Sequence, residues 1–340
     1  MTGEFGLGGA VALPPTKVRA YARLAKLDIF DYYLGLLVVW SLLPAAGRLD
    51  PRSLLTLAVF LAGEVCVVAA TVAFDDVTGY RDGSDAANYG PDAPARKLRR
   101  KPLLTGALSP AEALRFGWTA AVLAALVCTA SVLIAPHRPT WAIALTALCG
   151  VAFIQYSWGA KLSYHGWAEV VLAGVAFGWL LAPYGLLTGT ASGFVVVQAL
   201  VFGLGPMLFG VYSNTNDKAG DARVGRRTAA TVLSPRGNAA FIGAVSLVET
   251  LIIVGSAALG VAPWWFPLAM LPTIALRALQ YGTGFRRGDI LRARKLGIRT
   301  HRVTVVLLIA VNLVVGLGVI GHGVIGHSVI GHGVIGHGAS

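Results

Sequence analysis

The chain has 340 residues, of which 56% are hydrophobic and 13% are charged, and its mean hydropathy is +0.69. An ordinary soluble domain carries about 25% charged residues, so this composition excludes soluble globular, disordered, collagen-like and disulfide-stabilised proteins. The formal net charge of +12 does not indicate a nucleic-acid-binding protein, because the Lys and Arg residues lie in short clusters between long apolar runs. This arrangement is typical of an integral membrane protein.

Nine apolar segments approach the length of about 20 residues that a helix needs to cross the bilayer. Lipid offers no partner to an unpaired backbone group, so all nine are expected to be helical. We therefore predict an all-α integral membrane protein, a bundle of about nine transmembrane helices with two Asp-rich cytoplasmic loops. The membrane domain is predicted over 29–320, after an N-terminal segment 1–28 and before a low-complexity Gly/His repeat tail 321–340. The predicted spans are 29–46, 53–74, 111–135, 140–157, 167–188, 192–213, 238–260, 263–282 and 303–320.

The basic residues between the spans predict the orientation. Twenty-four of the 28 Lys and Arg residues precede the first span or follow the second, fourth, sixth and eighth spans. Lys and Arg concentrate in cytoplasmic loops. We therefore expect a multi-pass protein of the cytoplasmic membrane whose N-terminus and Asp-rich loops are cytoplasmic.

Seven of the 16 acidic residues follow just two of the spans, the second and the sixth. One interpretation is that these carboxylates neutralise neighbouring Arg and Lys on a solvated face. The repetition of the pattern favours a functional role instead. The acids are Asp75, Asp76, Asp82, Asp85 and Asp92 in the first acidic segment, which begins at residue 74, and Asp217 and Asp221 in the second, 213–228.

The second acidic segment has the spacing of a ligand set for a hard cation. If the sixth span continues as a helix, Asn214, Asp217 and Asp221 share one face. Such oxygen ligands suit Mg²⁺, which completes its coordination with water and substrate phosphate. Basic residues follow each acidic segment and can meet phosphate oxygens. They are Lys101 after the first segment and Arg223, Arg226 and Arg227 after Asp221. The two segments together indicate a diphosphate site bridged by Mg²⁺, although Gly79 and Gly83 argue against a continuous helix through the first.

A third polar segment follows the fourth span, where Tyr156, Lys161 and Tyr164 place one cation among aromatic residues. Alone, this pattern favours an interfacial aromatic belt with a snorkelling lysine. Together with the acidic segments it becomes a candidate diphosphate contact.

These motifs resemble the UbiA superfamily of intramembrane prenyltransferases over nearly the whole chain. Asp217, Asp221 and the Gly-Arg-Arg-Thr run 225–228 match its second Asp motif. The stretch 100–109 is similar to its Arg-Pro-Leu-x-x-Gly element, with Lys101 in place of Arg, and 156–161 resembles its tyrosine–lysine element. The first Asp motif departs from the family's NxxxDxxxD, because an Asp75-Asp76 pair precedes Asp82 and Asp85 as if residues were inserted.

The resemblance implies that Mg²⁺ and a prenyl diphosphate bind at the cytoplasmic end of the bundle. Asp217, Asp221 and some of the first segment's acids would hold the metal, while Lys161, Arg227 and Lys101 would help to neutralise the diphosphate. An allylic cation needs aromatic faces, which Tyr156, Trp158, Tyr164, Tyr212 or Phe209 would supply.

Three functions remain open at this point. The leading hypothesis is a prenyltransferase acting on a small aromatic or quinone-precursor acceptor, and the irregular first motif favours a UbiA-type terpene cyclase without an acceptor as the alternative. A transporter of an anionic substrate is a third hypothesis, although transporter sites lie near the midplane. Glu64 and Glu249 also lie mid-span, where acids mark functional sites by default; we expect protonated, hydrogen-bonded helix contacts at both.

Overall fold

The computed structural model describes residues 16–27, 29–89 and 98–317. Within these ranges the chain is helical, with turns between the helices and no strand. Six helices of the described ranges are long and apolar enough to cross a membrane. They are α4 (Pro51–Asp82), α6 (Pro110–Ile134), α8 (Ala168–Thr188), α9 (Gly193–Arg223), α11 (Pro235–Ala258) and α14 (Ile290–Gly316).

The same described ranges contain eight shorter α-helices. They are α1 (Lys17–Leu24), α2 (Gly35–Leu42), α3 (Ala45–Arg48), α5 (Ser84–Tyr89), α7 (Thr140–Ile154), α10 (Ala229–Val232), α12 (Phe266–Ala269) and α13 (Leu271–Tyr281).

Capping residues fix where the two helices nearest the first acidic segment begin. Asp50 accepts a hydrogen bond from the Ser53 backbone N–H at 2.8 Å, and Pro51 starts α4. Ser109 and Glu112 form a reciprocal capping box at the start of α6. Both devices satisfy backbone N–H groups that a helix start leaves unpaired.

The predicted count of nine spans is not confirmed. The first predicted span is interrupted, since turns over 31–34 precede the eight-residue α2 and Pro44 separates α2 from α3. The eighth is divided between α12 and α13, each with a proline in its first turn, and continues into a π-helical turn over Gly282–Arg286. Proline lacks the N–H that a continuing helix needs, so apolar length alone overestimates the continuous helices.

Helices α8 and α9 occupy the centre of the bundle, and most of their apolar length is buried. Helix α8 packs against α7 and α9, and α9 packs in turn against α14 and α11. Helix α4 packs mainly against α6, whose apolar length is largely exposed, as is that of α11. The exposed leucine and valine side chains of α6 and α11 suit contact with lipid tails. The Gly/His repeat tail and most of the N-terminal segment lie outside the described residues.

Candidate active site

Asp92 lies outside the described residues, and the other acidic residues of the two segments lie on helices and not in loops, which corrects the predicted span edges. Helix α4 continues eight residues past the predicted edge at 74 and ends at Asp82, where Gly83 adopts φ of +81°. Helix α9 likewise runs past 213 to Arg223. The expectation that Gly79 and Gly83 interrupt the helix is confirmed at Gly83, where α4 ends, and wrong at Gly79, which lies within α4. A helix bonds its own backbone, so it can continue beyond the apolar segment that anchors it.

Lys101 joins two carboxylates of the first acidic segment. Its Nζ lies 2.8 Å from Asp76 Oδ1 and 2.7 Å from Asp85 Oδ1, and all three residues are buried. Lys26 adds a second cation at 3.2 Å from Asp76. Burial lowers the pKa of Lys101, but Asp76 and Asp85 raise it, and the net pKa lies well above the usual range. Lys101 therefore remains a cation between the two carboxylates.

Gly79 allows Asp85 to approach α4. A Cβ atom added at Gly79 would meet the Asp85 carboxyl carbon at 2.8 Å, closer than real Cβ contacts come. The glycine that argued against a helix in the sequence therefore serves the packing of α5 on α4.

Arg226 lies where the three polar segments meet. Its Nη2 donates to Asp75 Oδ1 at 3.0 Å and to Ser157 Oγ at 3.2 Å, and its guanidinium lies 4.9 Å from the Tyr164 ring centroid. Asp221 and Tyr156 are also close enough to act on it electrostatically. Burial lowers the pKa of Arg226, but Asp75 leads the neighbours that raise it well above the usual range.

Hydrogen bonds from Thr78 and to Asp75 and Asp82 hold the segment after α7 against α4. The Thr78 hydroxyl on α4 donates to the Ser157 carbonyl oxygen at 3.0 Å, and the Ser157 hydroxyl donates to Asp75 at 2.6 Å. The Tyr164 hydroxyl donates to Asp82 Oδ2. Asp82 also accepts from the Ser84 backbone N–H at 2.9 Å, which fixes the turn between α4 and α5.

In the second acidic segment, Asn214 and Asp217 are half-buried and Asp221 lies deeper. The Asn214 amide donates to Glu169 Oε1 at 3.1 Å, and Asp217 accepts from Asn216 at 2.9 Å. Asp221 is buried. Glu169 also accepts from the Ala229 backbone N–H at 3.1 Å and so ties α8 to both sides of the α9–α10 turn.

Three predicted diphosphate contacts point outward. Arg223, Arg227 and Lys161 are exposed. Lys161 adopts φ of +48° and stands 5.2 Å from the Tyr164 ring centroid. The geometry of Lys161 therefore resembles the snorkelling lysine that its local sequence favours.

No three His, Cys, Asp or Glu side chains of the described residues are gathered closely enough to hold a metal ion. Lys101, Lys26 and Arg226 instead occupy oxygens of Asp76, Asp85 and Asp75. One buried oxygen, Asp76 Oδ2, has no hydrogen-bond partner. Because carboxylate oxygens are the donors that Mg²⁺ prefers, the chemistry of this donor set fits the ion, and the ligand assignment stays a prediction.

An aromatic cluster lies beside the polar site. The Tyr32 ring contacts Phe153 and Phe209 at centroid distances of 5.9 and 6.3 Å, and Phe153 packs edge-on against Trp179 at 5.4 Å. Tyr156 lies 6.4 Å from Phe153. Of the other aromatic residues predicted to face the cation, Trp158 stacks on Phe74 and Tyr212 packs on Phe285.

The two mid-span acids have different surroundings. Glu249 on α11 forms an ion pair with Arg277, whose guanidinium donates to the carboxylate at 2.7 and 2.9 Å. Glu249 thus makes the expected contact between helices, with a cation as its partner. Glu64 on α4 is buried, and its Oε2 has no hydrogen-bond partner among the described residues.

The sequence profile described as the UbiA prenyltransferase family matches residues 34–297, well over half of the chain. The chain belongs to the UbiA prenyltransferase family. Its apolar helices and this membership identify it as an integral membrane protein and an intramembrane prenyltransferase homologue.

A named relative of this UbiA-family protein agrees with that membership. It is 30% identical over 194 residues to the protoheme IX farnesyltransferase of Leifsonia xyli subsp. xyli, a match that covers 49% of this chain and 57% of that protein. The matched region thus spans little more than half the length of the relative.

Solved structures share the fold. A UbiA homologue from Archaeoglobus fulgidus bound to GPP and Mg²⁺ aligns with a TM-score of 0.64 and 13% identity, covering 87% of this chain and 99% of that one. The apo UbiA homologue from Aeropyrum pernix K1 aligns with a TM-score of 0.58 and 17% identity over 86% and 99% of the respective chains.

Several residues of this UbiA-family site were not predicted from the sequence. Lys26 entered the sequence analysis only as one of the basic residues that predict membrane orientation. Glu169 lies inside a predicted span, and Ser157 is an uncharged residue outside the recognised motifs. Among these three, only Glu169 could have been found from the sequence. It is an acid in the first turn of an apolar helix, and an ionisable group within a membrane span usually has a polar partner.

Proposed function

We propose that this UbiA-family protein is a Mg²⁺-dependent intramembrane prenyltransferase that ionises a prenyl diphosphate and transfers the prenyl group to a small aromatic or quinone-precursor acceptor. The observation that carries the proposal is the convergence on Arg226. Asp75, the Tyr156–Tyr164 segment and Asp221 come from distant parts of the sequence and all interact with this one guanidinium. A planar cation among carboxylates suits an anion that arrives with its own divalent ion.

In this proposal the diphosphate replaces carboxylates as the partner of Arg226 and Lys101. Asp75, Asp76, Asp217 and Asp221, with Asp82, Asp85 and Asn214 near them, are the oxygen donors from which the Mg²⁺ ligands come. Bound Mg²⁺ would neutralise the diphosphate and so improve it as a leaving group. Arg226 and Lys101 hold the diphosphate oxygens, and the exposed Lys161, Arg223 and Arg227 attract it to the site.

Bond cleavage leaves an allylic cation next to the aromatic cluster. The faces of Tyr32, Phe153 and Phe209 stabilise a cation by cation–π attraction, and Tyr156 lies between this cluster and Arg226. The acceptor attacks the cation and then loses a proton. The Leifsonia relative is named as a farnesyltransferase acting on protoheme IX, which supports prenyl transfer to an acceptor over cyclisation without one.

A terpene cyclase is the second candidate, and the first acidic segment favours it. That segment departs from the family motif, and the ammonium group of Lys101 forms ion pairs with two of its acids, Asp76 and Asp85. In a cyclase, double bonds of the substrate itself attack the cation.

One assay separates these functions. Purified protein is incubated with prenyl diphosphates of several lengths, with and without an aromatic acceptor, and lipid products are identified by mass spectrometry. Acceptor-dependent prenylated product supports the transferase, and cyclic hydrocarbon formed without acceptor supports the cyclase. Failure to consume any prenyl diphosphate would contradict both and leave the transporter.

A further inference from the structure

Basic residues are concentrated where the chain enters the last membrane helix, α14. Seven of the residues 286–302 are Lys or Arg, and only Asp289 is acidic. The Asp289 carboxylate accepts from the Arg292 backbone N–H at 2.9 Å and so caps the start of α14. The single acid of this segment therefore serves as a helix cap, and the segment is strongly positive.

Three of these cations share one face of α14. Arg292, Lys295 and Arg299 follow each other at intervals of three and four residues, which places them on the same side of a helix. All three are exposed, whereas the buried residues of this part of α14, such as Gly297 and His301, lie on the opposite side. We call Arg292, Lys295 and Arg299 the basic stripe, and it faces away from the bundle.

Within the described ranges, no acidic side chain forms an ion pair with the basic stripe. Arg302, the next cation on this side, differs, because Asp31 accepts from its guanidinium at 2.7 and 3.1 Å and the Phe30 ring lies 4.4 Å away. Like charges three and four residues apart on a helix repel each other. An anion from outside the protein would relieve that repulsion.

The face that carries the basic stripe becomes apolar further along α14. Val306 lies two helical turns after Arg299 and is 64% exposed, and Ala310 and Leu317 continue the same exposed face. One face thus passes from cations to apolar side chains along a helix that is long enough to cross a membrane. This order matches the passage from charged lipid headgroups to acyl chains.

The basic stripe lies at the same end of the bundle as the candidate active site. Arg294, which lies between members of the stripe in sequence, turns toward α9 and donates to Ser213 Oγ at 2.5 Å. Ser213 directly precedes Asn214 of the second acidic segment. The leaflet that the stripe can contact is therefore the one at the active-site end.

We propose that the basic stripe binds the headgroup phosphates of anionic phospholipids in this leaflet. Phosphate oxygens accept hydrogen bonds from guanidinium and ammonium groups, and the acyl chains of the same lipid lie along Val306 and Ala310. A free phosphate has no chains to cover these apolar side chains. The charge and the apolar continuation of the face together favour a lipid as the occupant.

The members of the stripe contribute unequally. The helix rise places Arg299 about 5 Å, Lys295 about 10 Å and Arg292 about 15 Å from Arg302 in the direction away from the apolar face. Attraction to an anionic membrane surface falls off within a Debye length of about 8 Å. Arg299 therefore contributes most to lipid binding, and Arg292 contributes least.

The test measures which lipid lies next to α14. Bimane is attached to Val306→Cys in the full-length protein, whose three native cysteines are replaced. The protein is reconstituted in phosphatidylcholine vesicles that contain brominated phosphatidylglycerol, which carries one negative charge, or brominated phosphatidylcholine, which carries no net charge. The ratio of the quenching by the two brominated lipids gives the local preference. We expect a ratio of about fivefold or more in favour of phosphatidylglycerol, the factor for one basic residue at an anionic surface.

Substitutions within the stripe test its gradation. Arg299→Gln is expected to lower the ratio by about fivefold, Lys295→Gln by less and Arg292→Gln least, while Arg299→Lys keeps the charge and retains the ratio. Arg115→Gln is the matched control, because it removes one exposed arginine from α6 and is expected to leave the ratio at position 306 unchanged.

Three results would overturn the proposal. The first is equal quenching by the two lipids in the protein with an intact stripe, and the second is an equal loss of preference in Arg115→Gln and Arg299→Gln. The third is loss of the preference when inorganic phosphate or geranylgeranyl diphosphate is added at the concentration of phosphatidylglycerol, since another anion would then be the occupant.

Discussion

Arg226 is the residue on which the site depends most. It contacts Asp75 and Ser157 and stacks on Tyr164, so Arg226→Gln removes the charge that links the three polar segments. We expect kcat/KM for the prenyl diphosphate to fall by about a hundredfold or more, as when a preorganised charge-stabilising donor is removed. Arg236→Gln is the matched control, because Arg236 is exposed at the start of α11. Equal losses in the two variants would contradict the role of Arg226.

Lys101 contributes to stability as well as to the site. Its ammonium group is the cation between the buried Asp76 and Asp85, so Lys101→Met leaves carboxylates buried without it. We expect the free energy of unfolding to fall by about 3–5 kcal/mol. Lys17→Met removes an exposed pair with Glu112 and is expected to cost less than about 1 kcal/mol. Denaturant titration in detergent micelles measures the free energy of unfolding of both variants. Equal losses in Lys101→Met and Lys17→Met would contradict a stabilising role for the buried Lys101 bridge.

At this scale the residue types could be predicted, but the pairings could not. Asn214, Asp217 and Asp221 lie on one helix, as their predicted shared face requires. That Lys101 bridges Asp76 and Asp85, and that Arg226 reaches Asp75, depends on how α4, α5 and α9 pack. These contacts are long-range, and no local pattern encodes them.

Among the helices, α4 shows how one glycine sets the geometry of the site. Gly79 gives α5 its close approach to α4, so Gly79→Ala pushes the Asp85 carboxyl away. We expect lower stability and lower Mg²⁺-dependent turnover, even though alanine is normally the better helix former by about 1 kcal/mol. Gly255→Ala in α11 is the control, because its added Cβ meets nothing within 4 Å.

In a thermal unfolding experiment, Gly79→Ala is therefore expected to lower the melting temperature, whereas Gly255→Ala is expected to leave it unchanged or raise it. If Gly79→Ala also proved neutral in both stability and turnover, α5 would not need its close contact with α4.

Apolar length predicted the six long helices well but not the broken ones. The first and eighth predicted spans are interrupted near Pro44 and around Pro267 and Pro272, where the backbone lacks a donor. The predicted spans also end too early, at 74 where α4 continues to Asp82 and at 213 where α9 continues to Arg223. Polar residues end an apolar run without ending the helix.

For the whole molecule, orientation in the membrane remains a prediction from charge. Single cysteines at Ser234 and at Thr190 are suitable probes, because both positions are exposed and lie beyond opposite ends of predicted spans. In a background without the three native cysteines, an impermeant maleimide added to right-side-out vesicles is expected to label position 190 and not 234. The reverse pattern would invert the predicted topology.

The bundle as a whole is expected to act by bringing the ends of α4 and α9 together around one diphosphate. Release of inorganic diphosphate from a prenyl diphosphate by the purified protein tests this most directly, measured with Mg²⁺, with a chelator, and in Asp75→Asn and Asp221→Asn. We predict release with Mg²⁺ that the chelator abolishes and that each variant lowers by about a hundredfold or more, with circular dichroism spectra unchanged. Release that is unaffected by the chelator and by both substitutions would contradict the account.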